Sequence, residues 1–224
     1  RSIFDRMVDT SKKNPSVTPD LVSWTILLRL AGNYHEGKLV FNKLLKAAER
    51  NRDLAPDITA WTTLLRLSKN YSEGREVFNE ILIRGRVSNG IRPNIITWNT
   101  LLSLTANYEE AKAVFDQILE TAKNDYSIEP DIFTWNTLLA RTRNYSEAKF
   151  VFDSMAERAK TNAKLTPDIV SWNTLLGRAD HLSIGMSVFE DMVRAAKTNP
   201  RVTPNVGSWT RLLCLATDFT QGNV

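Results

Sequence analysis

Six tryptophans recur at a constant interval of 37 residues, and the 224-residue chain contains no others. A proline lies five positions before each tryptophan, and a phenylalanine also recurs every 37 residues. These residues are Trp24, Trp61, Trp98, Trp135, Trp172 and Trp209, with Pro19, Pro56, Pro93, Pro130, Pro167 and Pro204, and with Phe4, Phe41, Phe78, Phe115, Phe152 and Phe189. A fixed period between roughly 20 and 50 residues is typical of arrays in which each unit buries its apolar face against its neighbours. The chain is therefore predicted to be a repeat array.

Each repeat carries two segments with the apolar periodicity of an amphipathic helix. In the third repeat, the apolar positions between Trp98 and Thr105, and again between Ala111 and Leu119, follow the i, i+3, i+4, i+7 pattern of one helix face. The pair Asn107-Tyr108 stands between the two segments as a polar break. No segment alternates as a strand does. The predicted fold is all-α, a right-handed α-solenoid of helix-turn-helix hairpin repeats.

The register of the tryptophans divides the chain into repeats of a single solenoid, 1–224. Five full repeats are predicted at 21–57, 58–94, 95–131, 132–168 and 169–205. Residues 1–20 are interpreted as the second helix of a truncated repeat and 206–224 as the first helix of another, so we expect apolar ends that favour end-to-end self-association. A small residue thirteen positions after each tryptophan is expected to let paired helices approach closely. These residues are Gly37, Gly74, Ala111, Ala148, Gly185 and Gly222.

Composition limits the classes of function that the chain can have. Twenty-nine Lys and Arg against 25 Asp and Glu give a net charge of +4, which is compatible with a polyanionic partner. No apolar run approaches the ~18 residues of a membrane span. Two histidines, His35 and His181, lack acid or nucleophile partners, and no phosphate loop or metal-ligand spacing is present. An enzyme, a cofactor, a metal and a small-molecule substrate are therefore not expected. The one cysteine, Cys214, favours a reducing compartment and is expected in the core.

Two positions in each repeat alternate between only two polar residues. The residue after each tryptophan is Thr or Asn, and the residue after each repeat proline is Asp or Asn. They are Thr25, Thr62, Asn99, Asn136, Asn173 and Thr210, and Asp20, Asp57, Asn94, Asp131, Asp168 and Asn205. Capping of the first helix explains Asp and Asn at the second position, but not why Ser and Thr never replace them. A polar residue near a helix start is the corresponding alternative for the Thr/Asn position.

At these positions the chain resembles the pentatricopeptide repeat family, in a 37-residue variant of its repeat. The resemblance rests on the Trp-Asn-Thr-Leu-Leu block at Trp98, Trp135 and Trp172, on the later Glu-Ala of Glu110-Ala111, and on the closing Pro-Asp or Pro-Asn. It implies sequence-specific binding of single-stranded RNA, one nucleotide per repeat. It also implies a role in RNA processing and residence in a mitochondrion or plastid, although no targeting peptide is recognisable in this fragment.

The resemblance implies that each base is recognised by the residue after the tryptophan together with the residue that closes the repeat. An Asp carboxylate accepts the ring N–H of guanine or uracil, whereas the Asn amide donates to the bare ring nitrogen of adenine or cytosine. In the family, Thr after the aromatic goes with purines and Asn with pyrimidines. The pairs Thr25/Asp57, Thr62/Asn94, Asn99/Asp131, Asn136/Asp168 and Asn173/Asn205 then predict 5′-GAUUC-3′.

Further contacts follow from the resemblance. The residues two before each tryptophan would sandwich the bases, or would pack in the core, since the position also fits an apolar helix face. They are Val22, Thr59, Ile96, Phe133 and Val170, followed by Gly207. Basic residues late in the first helices are weaker candidates for phosphate contacts, with a solvated face as the alternative. They are Arg29, Arg66, Lys69, Arg141, Arg143 and Arg178.

Two other binding functions compete with this interpretation. A scaffold of the tetratricopeptide kind also consists of helical hairpins and binds protein. A protein groove normally needs varied side chains across its surface, whereas this array confines its clearest polar alternation to two positions, which favours nucleic acid. Single-stranded DNA is the other alternative, because uracil and thymine share the base edges concerned and only contacts to the 2′-hydroxyl separate RNA from DNA.

Overall fold

A computed structural model describes residues 2–87 and 89–216, and within them every regular element is helical. Six short helices begin at the predicted first residue of a repeat or repeat fragment: α2 (Leu21–Arg29), α4 (Ile58–Arg66), α6 (Ile95–Ser103), α8 (Ile132–Arg141), α10 (Ile169–Leu176) and α12 (Val206–Leu213). Six others occupy the second half of the period: α1 (Ile3–Ser11), α3 (Tyr34–Arg50), α5 (Tyr71–Gly85), α7 (Tyr108–Ala122), α9 (Tyr145–Ala159) and α11 (Leu182–Ala196). Gly222 and the end of the segment 206–224 lie outside the described residues.

The helices form two compact units, divided between Thr105 and Ala106. In the first unit, α2, α4 and α6 pack in succession, and α3 and α5 each pack against the first helix of their own repeat and that of the next. In the second unit, α8, α10 and α12 are stacked in the same way, with α7, α9 and α11 beside them. Each unit is thus a stack of helical hairpins, which confirms the all-α helical-repeat class.

An aromatic pair joins each second helix to the first helix of the following repeat. The recurring phenylalanine of one repeat meets the tryptophan of the next, with ring centroids 4.5 to 4.7 Å apart and mostly edge-to-face. Trp61, Trp98 and Trp135 are no more than 4% exposed. The tryptophan period therefore marks the contact between successive hairpins within each unit.

Asparagine caps begin the second helices. In four repeats the Asn side chain accepts a hydrogen bond from the backbone N–H of a Glu three residues later, and that Glu accepts one from the backbone N–H of the residue before the cap. The caps are Asn33, Asn70, Asn107 and Asn144. The predicted polar break is therefore a helix start, because these bonds satisfy amides that the first turn leaves unpaired. In α11, His181 takes the cap position without a side-chain bond.

The recurring glycines of the second helices lie closest to the first helix of the following repeat, whereas the sequence predicted a close approach within one hairpin. A Cβ built on Gly37, Gly74 or Gly185 would overlap the Cδ1 of a leucine thirty residues later. The leucines are Leu67, Leu104 and Leu215. In the two repeats that carry alanine instead, Ala111 and Ala148, the residue thirty positions later is an arginine, Arg141 or Arg178. Glycine in the second helix thus coincides with leucine thirty residues later, and alanine coincides with arginine.

A short 3-10 turn before the repeat proline was not predicted. In five of these turns an Asn or Asp side chain accepts a bond from the backbone N–H two residues later, and in four of them the last residue is a buried aliphatic side chain. The buried residues are Leu54, Ile128, Leu165 and Val202. Cys214 was expected in the core but is exposed, because it lies at the C-terminal cap of α12. No helix of the described residues is long and apolar enough to cross a membrane.

Candidate nucleic-acid interface

The closing residue of each repeat is the N-cap of the next first helix. Its Oδ1 atom accepts a hydrogen bond from the backbone N–H three residues later, at 2.8 Å from Asp57 to Ala60 and at 3.0 Å from Asn94 to Thr97. The corresponding distances are 2.8 Å at Asp131, 2.9 Å at Asp168 and 3.1 Å at Asn205. Capping, considered above as an alternative function, is therefore present at every one of these residues.

The cap also determines which atom faces outward. A backbone N–H needs an acceptor, so the cap selects the oxygen of an Asn amide and directs Nδ2 away from the helix. Among the described residues, Nδ2 of Asn94 and of Asn205 donates to no protein group, and Oδ2 of Asp57 and of Asp168 accepts from none. The outward atom is then a donor in Asn and an acceptor in Asp, which is the difference that base selection requires.

In the fourth and fifth repeats the two predicted base-reading residues touch each other. Asn136 donates through Nδ2 to Asp168 Oδ1 at 3.1 Å, and Asn173 donates to Asn205 Oδ1 at 3.3 Å. In both pairs the partners are thirty-two residues apart and come from successive first helices. The structure thus brings together two side chains that the sequence linked only through the family resemblance.

A buried hydroxyl connects each of these pairs. Ser171 Oγ lies 2.6 Å from Asn136 Oδ1 and 3.0 Å from Asp168 Oδ1. Ser208 Oγ lies 2.7 Å from Asn173 Oδ1 and 3.2 Å from Asn205 Oδ1. In the second repeat, the hydroxyls of Thr62 and Thr97 are 2.9 Å apart, and Thr97 Oγ1 also lies 3.0 Å from Asn94 Oδ1.

Sequence reasoning missed this hydroxyl, which belongs to the residue directly before each tryptophan. That residue is always small, and it is polar in all cases but one: Ser23, Ala60, Thr97, Thr134, Ser171 and Ser208. In α8, α10 and α12 this Ser or Thr also completes a capping box with the N-cap residue, so its local role gave no separate signal. Its contact with the preceding repeat spans thirty-five residues, and only the fold makes it visible.

The candidate base-sandwiching residues lie on the surface. Val22, Ile96, Phe133 and Val170 are between 53% and 64% exposed, and Thr59 is exposed as well. The alternative that this position packs in the core is therefore wrong for these five residues. Exposed apolar side chains thus recur at the same position of four first helices, and a threonine occupies it in α4.

One cavity of about 310 Å³ in the first unit brings together three kinds of candidate residue. Thr62 and Asn94, the predicted base-reading pair of the second repeat, line it. The adjacent sandwiching residues Thr59 and Ile96 also line it, together with two arginines, Arg29 and Arg66. The family resemblance predicted that the base-reading and sandwiching residues share one function, and within this unit they line one cavity.

The six basic candidates for phosphate contacts differ in their position and exposure. Arg29 and Arg66 end α2 and α4, are exposed, and form no ion pair with any described residue. Lys69, Arg143 and Arg178 were expected late in first helices but lie beyond their ends, and Arg141 ends α8 and is half-buried. Lys69 Nζ is 3.9 Å from a Glu73 carboxylate oxygen.

Arg143 and Arg178 have partners as well. Arg143 pairs with Glu147 and with Glu109 at 2.6 Å each. The hydrogen bond to Glu147, followed by the charge of Glu109, raises the pKa of Arg143, and hydrogen bonds from Arg143 lower the pKa of Glu147. Arg178 donates to the backbone carbonyl of Ala140 at 2.8 Å. Arg29 and Arg66 are thus better suited than Arg143 and Arg178 to meet a phosphate.

The fold and these residues define a helical-repeat binding scaffold, and the described residues contain no cluster that could hold a metal ion. The model of the pentatricopeptide repeat domain matches residues 43–108, 81–139 and 117–180. These stretches extend from residue 43 to residue 180, more than half of the 224 residues, so the chain belongs to the pentatricopeptide repeat family. Such repeats are generally non-enzymatic binding scaffolds, and membership indicates RNA binding in general. No curated protein matches the chain.

Proposed function

We propose that the chain binds single-stranded RNA with one nucleotide per repeat and that its preferred core sequence is 5′-GAUUC-3′. The repeats are counted as 21–57, 58–94, 95–131, 132–168 and 169–205. The observation that carries the proposal is the cavity of about 310 Å³ in the second repeat, where Thr62 and Asn94 lie beside Thr59 and Ile96. It offers polar groups for a base edge, apolar groups for the base faces and arginines for a phosphate.

The pairs of the fourth and fifth repeats suit pyrimidines. With Asn136 Oδ1 and one Nδ2 hydrogen already bonded, the pair Asn136/Asp168 offers one N–H donor and the acceptor Oδ2. Uracil supplies a matching carbonyl and ring N–H. The pair Asn173/Asn205 offers two donors instead, which suit the O2 and the bare N3 of cytosine.

The first two repeats suit purines. Thr is shorter than Asn, so Thr25 and Thr62 leave more room for the larger ring system. The outward oxygen of Asp57 accepts the ring N–H of guanine, and the outward amide of Asn94 donates to the bare N1 of adenine. The repeat order with the N-terminus at the RNA 5′ end gives the stated sequence.

Fluorescence polarisation with labelled RNA tests the proposal. The chain is titrated with an RNA carrying GAUUC, with a second carrying UCUAG between the same flanks, and with the DNA version GATTC, at two salt concentrations. We expect at least tenfold tighter binding of GAUUC. Equal binding of both RNAs would overturn sequence-specific recognition, and absence of RNA binding would favour a protein-binding scaffold. Equal affinity for GATTC would extend the ligand to single-stranded DNA.

A code-switching variant provides the sharper test. Asn94→Asp exchanges an outward donor for an acceptor and keeps the cap, so we expect the preferred RNA to change from GAUUC to GGUUC. Asp20→Asn is the matched control, because it exchanges the same two residues at an N-cap that has no preceding Thr or Asn partner in this chain. An unchanged preference in Asn94→Asp would contradict the pairing in this repeat.

Two further proposals concern the natural context. Pentatricopeptide repeat proteins are commonly organellar, and we infer residence in a mitochondrion or plastid and a role in RNA processing; subcellular fractionation tests the compartment.

We also propose end-to-end association through the exposed side chains of α12, where Trp209 and Leu213 are more than half exposed. Sedimentation velocity at rising protein concentration should show a larger species that Leu213→Glu removes.

A further inference from the structure

We propose that the Ser or Thr directly before each tryptophan is a positioning residue for the base-reading pair of the preceding repeat. The inference rests on the proposed function, since it assigns to this hydroxyl the task of holding the Asn amide in one orientation. Ser171 would act on Asn136 and Asp168, and Ser208 on Asn173 and Asn205. The hydroxyl itself does not contact the base.

The geometry of the fourth repeat assigns each hydrogen. The backbone N–H of Asp168 donates to Ser171 Oγ at 3.1 Å, so the serine oxygen acts as an acceptor there. Its single hydrogen then goes to Asn136 Oδ1 at 2.6 Å, which is nearer than Asp168 Oδ1 at 3.0 Å and Met155 Sδ at 3.8 Å. Asn136 Nδ2 in turn donates to Asp168 Oδ1 at 3.1 Å. Ser171 is fully buried, so water does not replace these bonds.

The reverse orientation of the amide is disfavoured at both ends. Rotation by about 180° would bring Asn136 Oδ1 against Asp168 Oδ1, which would place two acceptors together, and would remove the nearest acceptor of the serine hydroxyl, leaving it Asp168 Oδ1 at 3.0 Å. The remaining Nδ2 hydrogen therefore stays available to a carbonyl oxygen of the base. Without the hydroxyl, only the contact with Asp168 holds the Asn136 amide, and the direction of its free Nδ2 hydrogen is less well fixed.

The fifth repeat contains the same arrangement independently. Asn205 N donates to Ser208 Oγ at 3.1 Å, and Ser208 Oγ lies 2.7 Å from Asn173 Oδ1. Ser208 is also fully buried. Two repeats with different closing residues, Asp168 and Asn205, thus place the same bond on the Asn that follows the tryptophan.

The first repeat lacks the hydroxyl. Ala60 occupies the position, and Thr25 Oγ1 donates to the carbonyl of Leu21 at 2.8 Å within its own helix. Asp57 is therefore held by its N-cap bond and Thr25 by a bond within its own helix, and no hydrogen bond joins these two described side chains. We expect the first base to be the least strictly selected of the five.

The test compares Ser171→Ala, Ser171→Thr and Ser23→Ala. Binding is measured with GAUUC and with GAUGC, since Asp168 accepts from both uracil and guanine and only Asn136 separates them. Loss of one hydrogen bond should lower the preference for U over G by roughly three- to tenfold in Ser171→Ala. Ser171→Thr should stay within about twofold of the unmodified chain, because Thr97 makes the same contact with Thr62. Ser23→Ala removes a similar hydroxyl at an N-cap without a preceding pair and should change nothing.

A readout without RNA separates this inference from the proposed function. In the free chain, the side-chain amide resonances of Asn136 should shift and exchange faster with water in Ser171→Ala, but not in Ser23→Ala. Unchanged Asn136 resonances, or an unchanged U-over-G ratio in a chain with an unaltered melting temperature, would overturn the inference. Failure of the unmodified chain to prefer GAUUC would instead overturn the proposed function.

A gain-of-function pair keeps the inference testable if Ser171→Ala does not fold. Thr25→Asn should direct the first repeat toward uracil, and Thr25→Asn combined with Ala60→Ser adds the missing hydroxyl. We expect the double variant to prefer UAUUC over GAUUC roughly three- to tenfold more strongly than Thr25→Asn alone. Equal preference in the two variants would overturn the positioning role.

Discussion

At the scale of the single residue, the proposed function gives the closing Asp or Asn of each repeat two partners for one side chain. One oxygen caps the next helix, and the other polar atom faces outward. Ser and Thr are also good N-caps, but they have one polar atom and would have none left to offer. The proposed function thus accounts for the restriction to Asp and Asn, which capping alone does not.

Asp168→Ser tests this division of tasks. Because Ser and Asp cap helices about equally well, the melting temperature should change by no more than a few degrees. The preference for U at the fourth base should nevertheless fall at least fivefold, since no acceptor faces the ring N–H. Asp168→Asn is the matched control and should change the preference to C. Retention of the U preference in Asp168→Ser, measured by polarisation, would show that the outward oxygen does not select the base.

Phe133 provides a second test at this scale. The ring is 53% exposed, so Phe133→Ala should cost little folding stability but about 1–3 kcal/mol of RNA affinity through lost stacking. Phe150→Ala is the control, because Phe150 is 67% exposed but lies on the second helix α9. Parallel titrations should separate the two variants, and equal losses would mean that Phe133 does not stack on a base.

At the scale of the helix, the distance between a second helix and the next first helix depends on the side chain that packs against the small residue. Gly74→Ala places a Cβ into Leu104, and overpacking of about 1–3 kcal/mol should exceed the ~1 kcal/mol gained in helix propensity. We expect a lower urea midpoint. Adding Leu104→Arg, which copies the Ala111/Arg141 combination, should restore most of it. Gly85 ends the same helix, and a Cβ added there would make only ordinary van der Waals contacts. Gly85→Ala therefore serves as the control. A Gly74→Ala chain as stable as the original would contradict the packing argument.

The second helix of the fifth repeat should gain stability from a better cap. His181 makes no side-chain bond at the start of α11, whereas Asn144 caps α9 at 2.9 Å. His181→Asn should therefore stabilise the chain by about 0.5–1 kcal/mol. Thermal unfolding measures the gain, and Asn144→Ala should show a loss of similar size. If His181→Asn melts no higher than the original, the cap position is satisfied in another way.

The bounds of the helices could be predicted from the sequence more completely than the side-chain contacts of the candidate site. Apolar periodicity, Pro before each first helix and Asn-Tyr before most second helices act within a few residues, so they indicate helix bounds directly. The contact of Asn136 with Ser171 depends on two residues thirty-five apart and on the stacking of first helices, which no local pattern contains. The residue types at the site came from the family resemblance, and their hydrogen bonds came only from the fold.

At the scale of the whole molecule, net charge alone is a poor guide to the phosphate contacts. The excess of four positive charges is small, and many basic side chains are paired on the surface, as Lys112 is with Asp116 and Lys149 with Asp153. Exposed pairs of this kind contribute little stability, but they reduce the positive charge that a ligand meets. The salt dependence of RNA affinity should therefore reflect the arginines that face the ligand, such as Arg66, rather than the basic residues as a whole.

Arg66→Gln and Arg143→Gln test this at two sites of equal formal charge. For single strands, the slope of log affinity against log salt is about −0.7 for each neutralised phosphate, so loss of one contact should make the slope shallower by roughly 0.7. We expect that change for Arg66, which is exposed without an ion pair to any described residue. For Arg143, held between Glu109 and Glu147, the slope should hardly change. The opposite order, measured by polarisation over a salt series with GAUUC, would show that phosphates are met at the turn between helices and not at the end of the first helix.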